Sequence, residues 1–495
     1  MTSPEPPPGD SAGSESADLV RHVSQSMLWV ALGTIVSKLI RLAGLFIVLG
    51  LITKAELGVA QMALTVFVIL QSVTEMGLGS ALVRTRVIDP DDVAALFWVS
   101  VAMSLGLYVV VFGLSFALAG WYEQPLLAPL IQVQALGVLF SALYVVPKSL
   151  LIRELRMRRV TFAENLAGAL SAGVMITLAV NGLGIWSIIV GEVSSRFIEM
   201  VIHQSSRPYL PRFRWAPRRI KALLSFGVFN TGARFLGRFY TDADYLVVGK
   251  LFSESLMGLY AFAFRTVDDI VKALIVMVNQ VAYPTFAKLQ HSPDELRAFL
   301  FGIARGTNLL IGTVLAFLFA FTEPVLMAIG YDKWLGAVPL VRLFAVIGLL
   351  RGLLPLLSSV INAFGEARYI FGYAIVLSVV LPVAFIIGGN IAFEGVALVW
   401  FFVYPPVTLI LFRRVAKLTG TPLWTLIRGV CGGLVFPVLL TLVLLLVRAG
   451  LEAAGLAPGL IAVVGLCLSV GGGGGYAWRR ERVFIDRVFR KKKKV

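Results

Sequence analysis

Cysteine and histidine are nearly absent. The two cysteines in 495 residues, Cys431 and Cys467, both sit in apolar runs, which excludes a disulfide-framed fold. The three histidines, His22, His203 and His291, are scattered, and no metal-ligand spacing forms around them. Neither a metal nor any other cofactor is expected. Charge is also scarce: 15% of residues are charged, against about 25% in a soluble domain. The N-terminus lacks a basic n-region followed by a short apolar run and a cleavage site, so no cleaved signal peptide is expected. "GGGGG" (471–475) has no following Lys-Ser/Thr and no preceding strand, which excludes a phosphate loop. Close helix packing is the reading that remains.

Apolar residues are abundant, at 58% of the chain. Runs of about 20 recur along its length, each long enough to cross a hydrocarbon core of about 30 Å. Fourteen are expected, over roughly 27–50, 57–82, 93–119, 126–150, 163–181, 183–203, 222–249, 256–283, 299–325, 336–362, 368–389, 392–412, 426–448 and 457–478. The fold expected is therefore an all-α polytopic membrane protein.

The basic residues are sorted by side. With the N-terminus inside, thirty fall on cytoplasmic loops and tails, including Lys148 to Arg159, Arg207 to Lys221, Arg413 to Lys417 and nine between Arg479 and Lys494. Only Lys54, Lys250, Lys333 and Arg448 fall outside. The positive-inside rule then puts both termini in the cytoplasm. This sorting also accounts for the net charge of +16 without nucleic acid. The terminal "RKKKK" reads as a contact for anionic membrane lipids.

The chain repeats itself. "VLGLITKAELGVAQMALTV" (48–66) resembles "VVGKLFSESLMGLYAFAFRTV" (247–267), with Gly50 matching Gly249 and Gly58 matching Gly258. Further matches keep the same order. Six spans per copy is an even number, so this is a parallel repeat. The expected organisation is a disordered tail over 1–20, an N-lobe over 21–205 (spans 1–6), a C-lobe over 206–420 (spans 7–12), two extra spans over 421–478 and a basic tail over 479–495. In "HSPDELRAFL" (291–300), Ser292, Pro293 and Glu295 suggest a capped helix start.

Ten cations lie inside spans: Lys38, Arg41, Arg196, Arg234, Arg238, Arg265, Lys272, Arg305, Arg342 and Arg351. Each costs about 2.5–3.5 kcal/mol at the membrane centre on insertion scales. They must face a wet cavity, a partner charge or an interface. Arg234, Arg238 and Asp242 share a face of span 7. In span 8, Arg265 with Asp269 and Asp268 with Lys272 are i, i+4 pairs. Span 6 carries Glu192, Arg196 and Glu199. Spans 6 and 8 read equally well as internal ion pairs. Lys38 and Arg41 of span 1 have no acid within a helical turn, so another helix or a ligand must supply their anion.

"DADYLVVGKLFSESLMGLYAFAFRTVDDIVKALIVMVNQVAYPTFAKLQ" holds Asp244, Val248-Gly249, Met257 to Tyr260 and Pro284 to Gln290 in order. With "EMGLGSALVR", "GIWSIIVG" and "KWLGAVPLVRLFAVIGLLRGL", it resembles the polysaccharide transporter branch of the multidrug/oligosaccharidyl-lipid/polysaccharide flippase superfamily, which includes Wzx-like O-antigen and exopolysaccharide flippases. The resemblance implies a non-enzymatic flippase in a bacterial inner membrane. It would move undecaprenyl-diphosphate-linked oligosaccharides by alternating access for lipopolysaccharide or exopolysaccharide synthesis, driven by a proton or sodium gradient. Polymerase and chain-length machinery would be its neighbours. Arg forks suit a diphosphate, so Lys38, Arg41, Arg234, Arg238 and Arg265 are the substrate-binding candidates. Asp242, Asp268 and Asp269 are the ion-coupling candidates. A lipid II flippase and a multidrug exporter share the superfamily, although the exporter would want an acidic, aromatic cavity. A membrane glycosyltransferase or polymerase would need an outer loop larger than any present.

Overall fold

A computed structural model of the chain describes residues 40, 43–74, 82, 89–211 and 217–490, with the backbone alone at 73–74, 217–231, 233–234 and 477–490. Among the described residues every regular element is helical: α1 (Lys54–Thr74), α2 (Pro90–Tyr122), α3 (Leu127–Arg153), α4 (Met157–Val180), α5 (Ile185–Ser206), α6 (Pro217–Leu251), α7 (Glu254–Leu289), α8 (Pro293–Ala328), α9 (Val338–Ala363), α10 (Ala367–Ile391), α11 (Phe393–Phe402), α12 (Tyr404–Leu418), α13 (Leu423–Cys431), α14 (Val435–Ala453) and α15 (Pro458–Arg490). Short 3-10 turns precede α9 and α14.

Ten helical segments among the described residues are long and apolar enough to cross a membrane. This is an all-α, multi-pass membrane protein. The expected first span, 27–50, lies largely outside the described residues. The expected spans 6, 7 and 8 are the helices α5, α6 and α7, of 22, 35 and 36 residues. Two expected spans are interrupted. The run 392–412 divides at Val403, ahead of Pro405 and Pro406, because proline cannot donate to the helix ladder and constrains the residue before it. The run 426–448 breaks at Gly432–Leu434, where two glycines weaken the helix.

Local chemistry explains the helix ends. Asp89 accepts a hydrogen bond from Asp91 N at 3.0 Å, and Pro90 opens α2. Ser253 Oγ accepts from Leu256 N at the start of α7. At α8 the expected capping box does not form. Pro293 opens the helix, but the backbone carbonyl of Ser292 takes the Leu296 N–H and its hydroxyl makes no cap bond. Four residues join α4 to α5, with Gly182 and Gly184 at φ +78° and +48°.

The chain forms two compact units. The first holds residues up to Thr53 and Val66–Gly232; the second holds Lys54–Thr65 and everything from Ala233. In the first, α2 packs on α3 and α4 on α5, with Val93, Phe97 and Val146 in one apolar cluster. In the second, α7 and α8 pack on α9, and α14 and α15 pack on α8. A Cβ on Gly58 would sit 2.0 Å from Glu254 O, and one on Gly258 would sit 1.9 Å from Lys54 O. The backbones of α1 and α7 therefore touch reciprocally at two glycines. Within 471–475, Gly473 has no room for a Cβ beside Thr313, whereas Gly471, Gly474 and Gly475 face open space. Close packing is thus confined to part of that run.

Candidate functional site

Charge gathers inside the second unit where α6, α7, α9 and α11 meet. Its centre is Arg351 on α9. The guanidinium lies against the adjoining rings of Phe264 and Trp400, 4.7 and 4.6 Å from their centroids. One Nη contacts Asp268 Oδ1 at 2.9 Å. The planar, weakly hydrated guanidinium can lie on both rings and still fork towards a carboxylate, which a compact ammonium does less well. Asp268 also takes Lys272 Nζ at 2.5 Å, one helical turn away on the same face.

Asp244 sits beside this pair and is fully buried. Its Oδ2 accepts from Tyr260 Oη at 2.8 Å and Trp400 Nε1 at 3.0 Å. Its Oδ1 accepts from the Tyr245 amide at 2.9 Å. Three neutral donors thus satisfy a carboxylate that burial would otherwise penalise. Trp400 joins the two halves of the site: its ring face meets Arg351 and its N–H holds Asp244.

Towards the more open side, Arg238 Nε lies 2.5 Å from Asp242 Oδ2 without hydrogen-bond alignment. Arg265 donates to Gln61 Oε1 at 3.4 Å and stands 4.0 Å from Asp269. Four cations (Arg238, Arg265, Lys272, Arg351) therefore face four carboxylates (Asp242, Asp244, Asp268, Asp269). An anionic ligand must compete with those carboxylates. Lys272, Arg238 and Arg265 are the accessible cations, at 46%, 38% and 28% side-chain exposure, whereas Arg351 is at 15%.

A second polar cluster lies in the first unit. Lys148 pairs with Glu164 at 2.6 Å, and Arg196 with Glu199 at 3.8 Å. Arg196 reaches Tyr144 Oη at 3.5 Å, and His203 stacks on the Tyr144 ring at 5.3 Å. Among the described residues no group of three His, Cys, Asp or Glu side chains is placed to hold a metal ion.

The i, i+4 pairs expected in spans 7 and 8 form, with Arg265 and Asp269 at the limit of ion-pair distance. The structure brings Arg238 to Asp242, and Asp268 to Lys272 and Arg351. Lys38, Arg41 and the side chain of Arg234 lie outside the described residues. Sequence reasoning missed Arg351, Trp400 and Tyr260 as members of the site. Asp244 was visible as part of the motif, but its partners were not. For Arg351 the available signal was the cost of placing a cation inside span 10, and for Tyr260 its place in the motif.

Comparison with known proteins agrees with this architecture. The chain is 24% identical to the teichuronic acid biosynthesis protein TuaB of Bacillus subtilis, over 71% of this chain and 74% of that protein. It is 25% identical to the succinoglycan biosynthesis transport protein ExoT of Rhizobium meliloti, over 73% of each. Its fold is similar to the lipid II flippase MurJ in an inward closed conformation, with TM-score 0.68 at 15% identity, covering 90% of this chain and 99% of that one. The family described as polysaccharide biosynthesis protein matches residues 47–339, more than half the chain. That span holds the motif around Asp244 and the charged helices α6 and α7, and the chain belongs to this family of polysaccharide biosynthesis proteins.

Proposed function

We propose that the protein is a flippase that carries lipid-linked oligosaccharide repeat units across the bacterial inner membrane for surface-polysaccharide synthesis. Undecaprenyl diphosphate is the carrier lipid in this reading, both termini are cytoplasmic, and the protein moves its substrate without chemical change. The observation that carries the proposal is the family match over residues 47–339, which spans membrane helices holding Arg238 and Arg265 within reach of an anion. A diphosphate exchanges for Asp242 and Asp269 at these guanidinium groups, because Arg binds phosphate as it binds carboxylate. Lys38, Arg41 and Arg234 are assigned to the same anion. The polymerase and chain-length machinery receive the product.

A deletion strain should accumulate lipid-linked repeat units in the cytoplasmic leaflet and lose surface polymer. Normal polymer, with no intermediate and no second flippase in the strain, overturns the proposal.

The displaced carboxylates support a second reading, gradient coupling. An Asp242, Asp268 or Asp269 carboxylate that loses its cation to the substrate needs a proton or a cation in its place. In proteoliposomes, Asn variants at these positions should lose gradient dependence. Unchanged dependence in all three leaves them a structural role only.

A further inference from the structure

The end of α12 forms a second cationic feature, remote in sequence from the motif helices and unused by the charged core. An open cleft of about 420 Å³ is lined by Tyr369, Arg413, Arg414, Lys417 and Thr421, among others. That volume lies within the range of small-ligand sites. Its cations differ in role. Arg414 is committed: Nε and Nη2 fork onto the two oxygens of Glu366, and the guanidinium lies 5.2 Å from the Tyr369 ring centroid. Tyr369 is itself held by a hydrogen bond to Ile410 O at 3.0 Å. This makes a fixed wall. Arg413 and Lys417, one turn apart, are exposed and have no carboxylate partner among the described residues. The opposite wall is the turn after α12, closed by the Thr421 N–H on Ala416 O at 3.0 Å and by the Thr419–Thr421 hydroxyl contact.

The surroundings identify the ligand class. Pro406, Leu409, Arg413 and Lys417 follow one another along an exposed face of α12. The face is apolar for its membrane part and cationic at its end. From Leu409 to Lys417 is about 12 Å at the helical rise. Immediately after the cleft, α13 buries Leu426 and Val430 and exposes Trp424 and Arg428. An exposed tryptophan there marks the membrane–water boundary. A ligand seated here has tails beside Leu409 and an anionic head at Arg413 and Lys417.

We propose that this cleft is a binding site for the phosphate headgroup of a membrane lipid, separate from the intramembrane charged core. A bilayer phospholipid and the diphosphate carrier share that chemistry.

Native mass spectrometry of the detergent-purified full chain tests the proposal with phosphatidylglycerol, undecaprenyl diphosphate and phosphatidylcholine as probes. The Arg413→Gln/Lys417→Gln double variant should retain at least one of the two phosphate-rich anions about thirtyfold less, from two lost interfacial cations. Retention of phosphatidylcholine should not change. Loss of phosphatidylglycerol alone identifies a bilayer lipid, and loss of undecaprenyl diphosphate alone identifies the carrier. In the wild-type chain, Lys417 should be protected from amine acylation by the same anion and not by phosphatidylcholine. This second readout does not depend on a variant folding. Wild-type retention in the double variant, absence of Lys417 protection, or an equal loss in Arg428→Gln, which would signal diffuse charge rather than a site, overturns the proposal. The readout is binding, so loss of polymer export in a deletion strain is judged separately.

Discussion

Replacing Arg351 with methionine keeps an unbranched chain beside Phe264 and Trp400 but removes the cation from both rings and from Asp268. Breaking a buried ion pair from one side costs about 3–5 kcal/mol, chiefly because the remaining charge is stranded. Here Asp268 is not wholly stranded, since Lys272 stays at 2.5 Å. The cost should therefore fall near the lower end, at about 3 kcal/mol, a substantial part of a typical stability of about 5–15 kcal/mol. Asp268→Asn should cost a similar amount by stranding Arg351. The double variant strands neither charge in the core. It should be less destabilised than the sum of the singles by about 1 kcal/mol or more. Thermal unfolding of the four purified proteins in one detergent is the assay. Losses that add strictly would show that Arg351 and Asp268 are not coupled, and would refute the account of the core as an ion pair held against two aromatic rings.

Gly258→Ala should sharply lower the yield and melting temperature of folded protein, because its Cβ would lie 1.9 Å from a backbone oxygen and overpacking costs about 1–3 kcal/mol or more. Gly173→Ala, with nothing within 4 Å, is the control, and equal behaviour of the two contradicts the helix contact. Arg41→Ala should abolish polymer export at normal protein abundance while Arg41→Lys keeps part of it, since charge survives but the phosphate fork does not; export in Arg41→Ala at the wild-type level removes this residue from the substrate path. Single cysteines at Glu123 and Asp332 should react with an impermeant thiol reagent from outside, and one at Arg158 should not. Outside labelling at Arg158 overturns the assigned orientation.

Much of the fold follows from the sequence alone, because a hydrocarbon slab dictates the length of each apolar run and leaves the helix as the open-ended way to satisfy its backbone. The pairs Arg238–Asp242 and Asp268–Lys272 were legible for a similar reason: the helical period alone puts i and i+4 on one face. Proline and glycine at Pro405, Pro406, Gly432 and Gly433 carried a local signal for the helix breaks, but the apolar run masked it. The periodicity of one helix says nothing about its neighbours. Arg351 could be recognised as a costly intramembrane cation, yet only tertiary packing brought it to Asp268 and against Phe264 and Trp400. Asp244 belonged to a motif, and its donors Tyr260 and Trp400 come from 16 and 156 residues away. Gly58 and Gly258 were matched by internal resemblance, but their mutual backbone contact is a product of packing. Arg413, Arg414 and Lys417 were one undivided run of basic residues in the sequence. The position of Glu366 just before α10 decided that Arg414 is neutralised and its two neighbours are left for a ligand, because an ion pair depends on distance in space and not on separation along the chain.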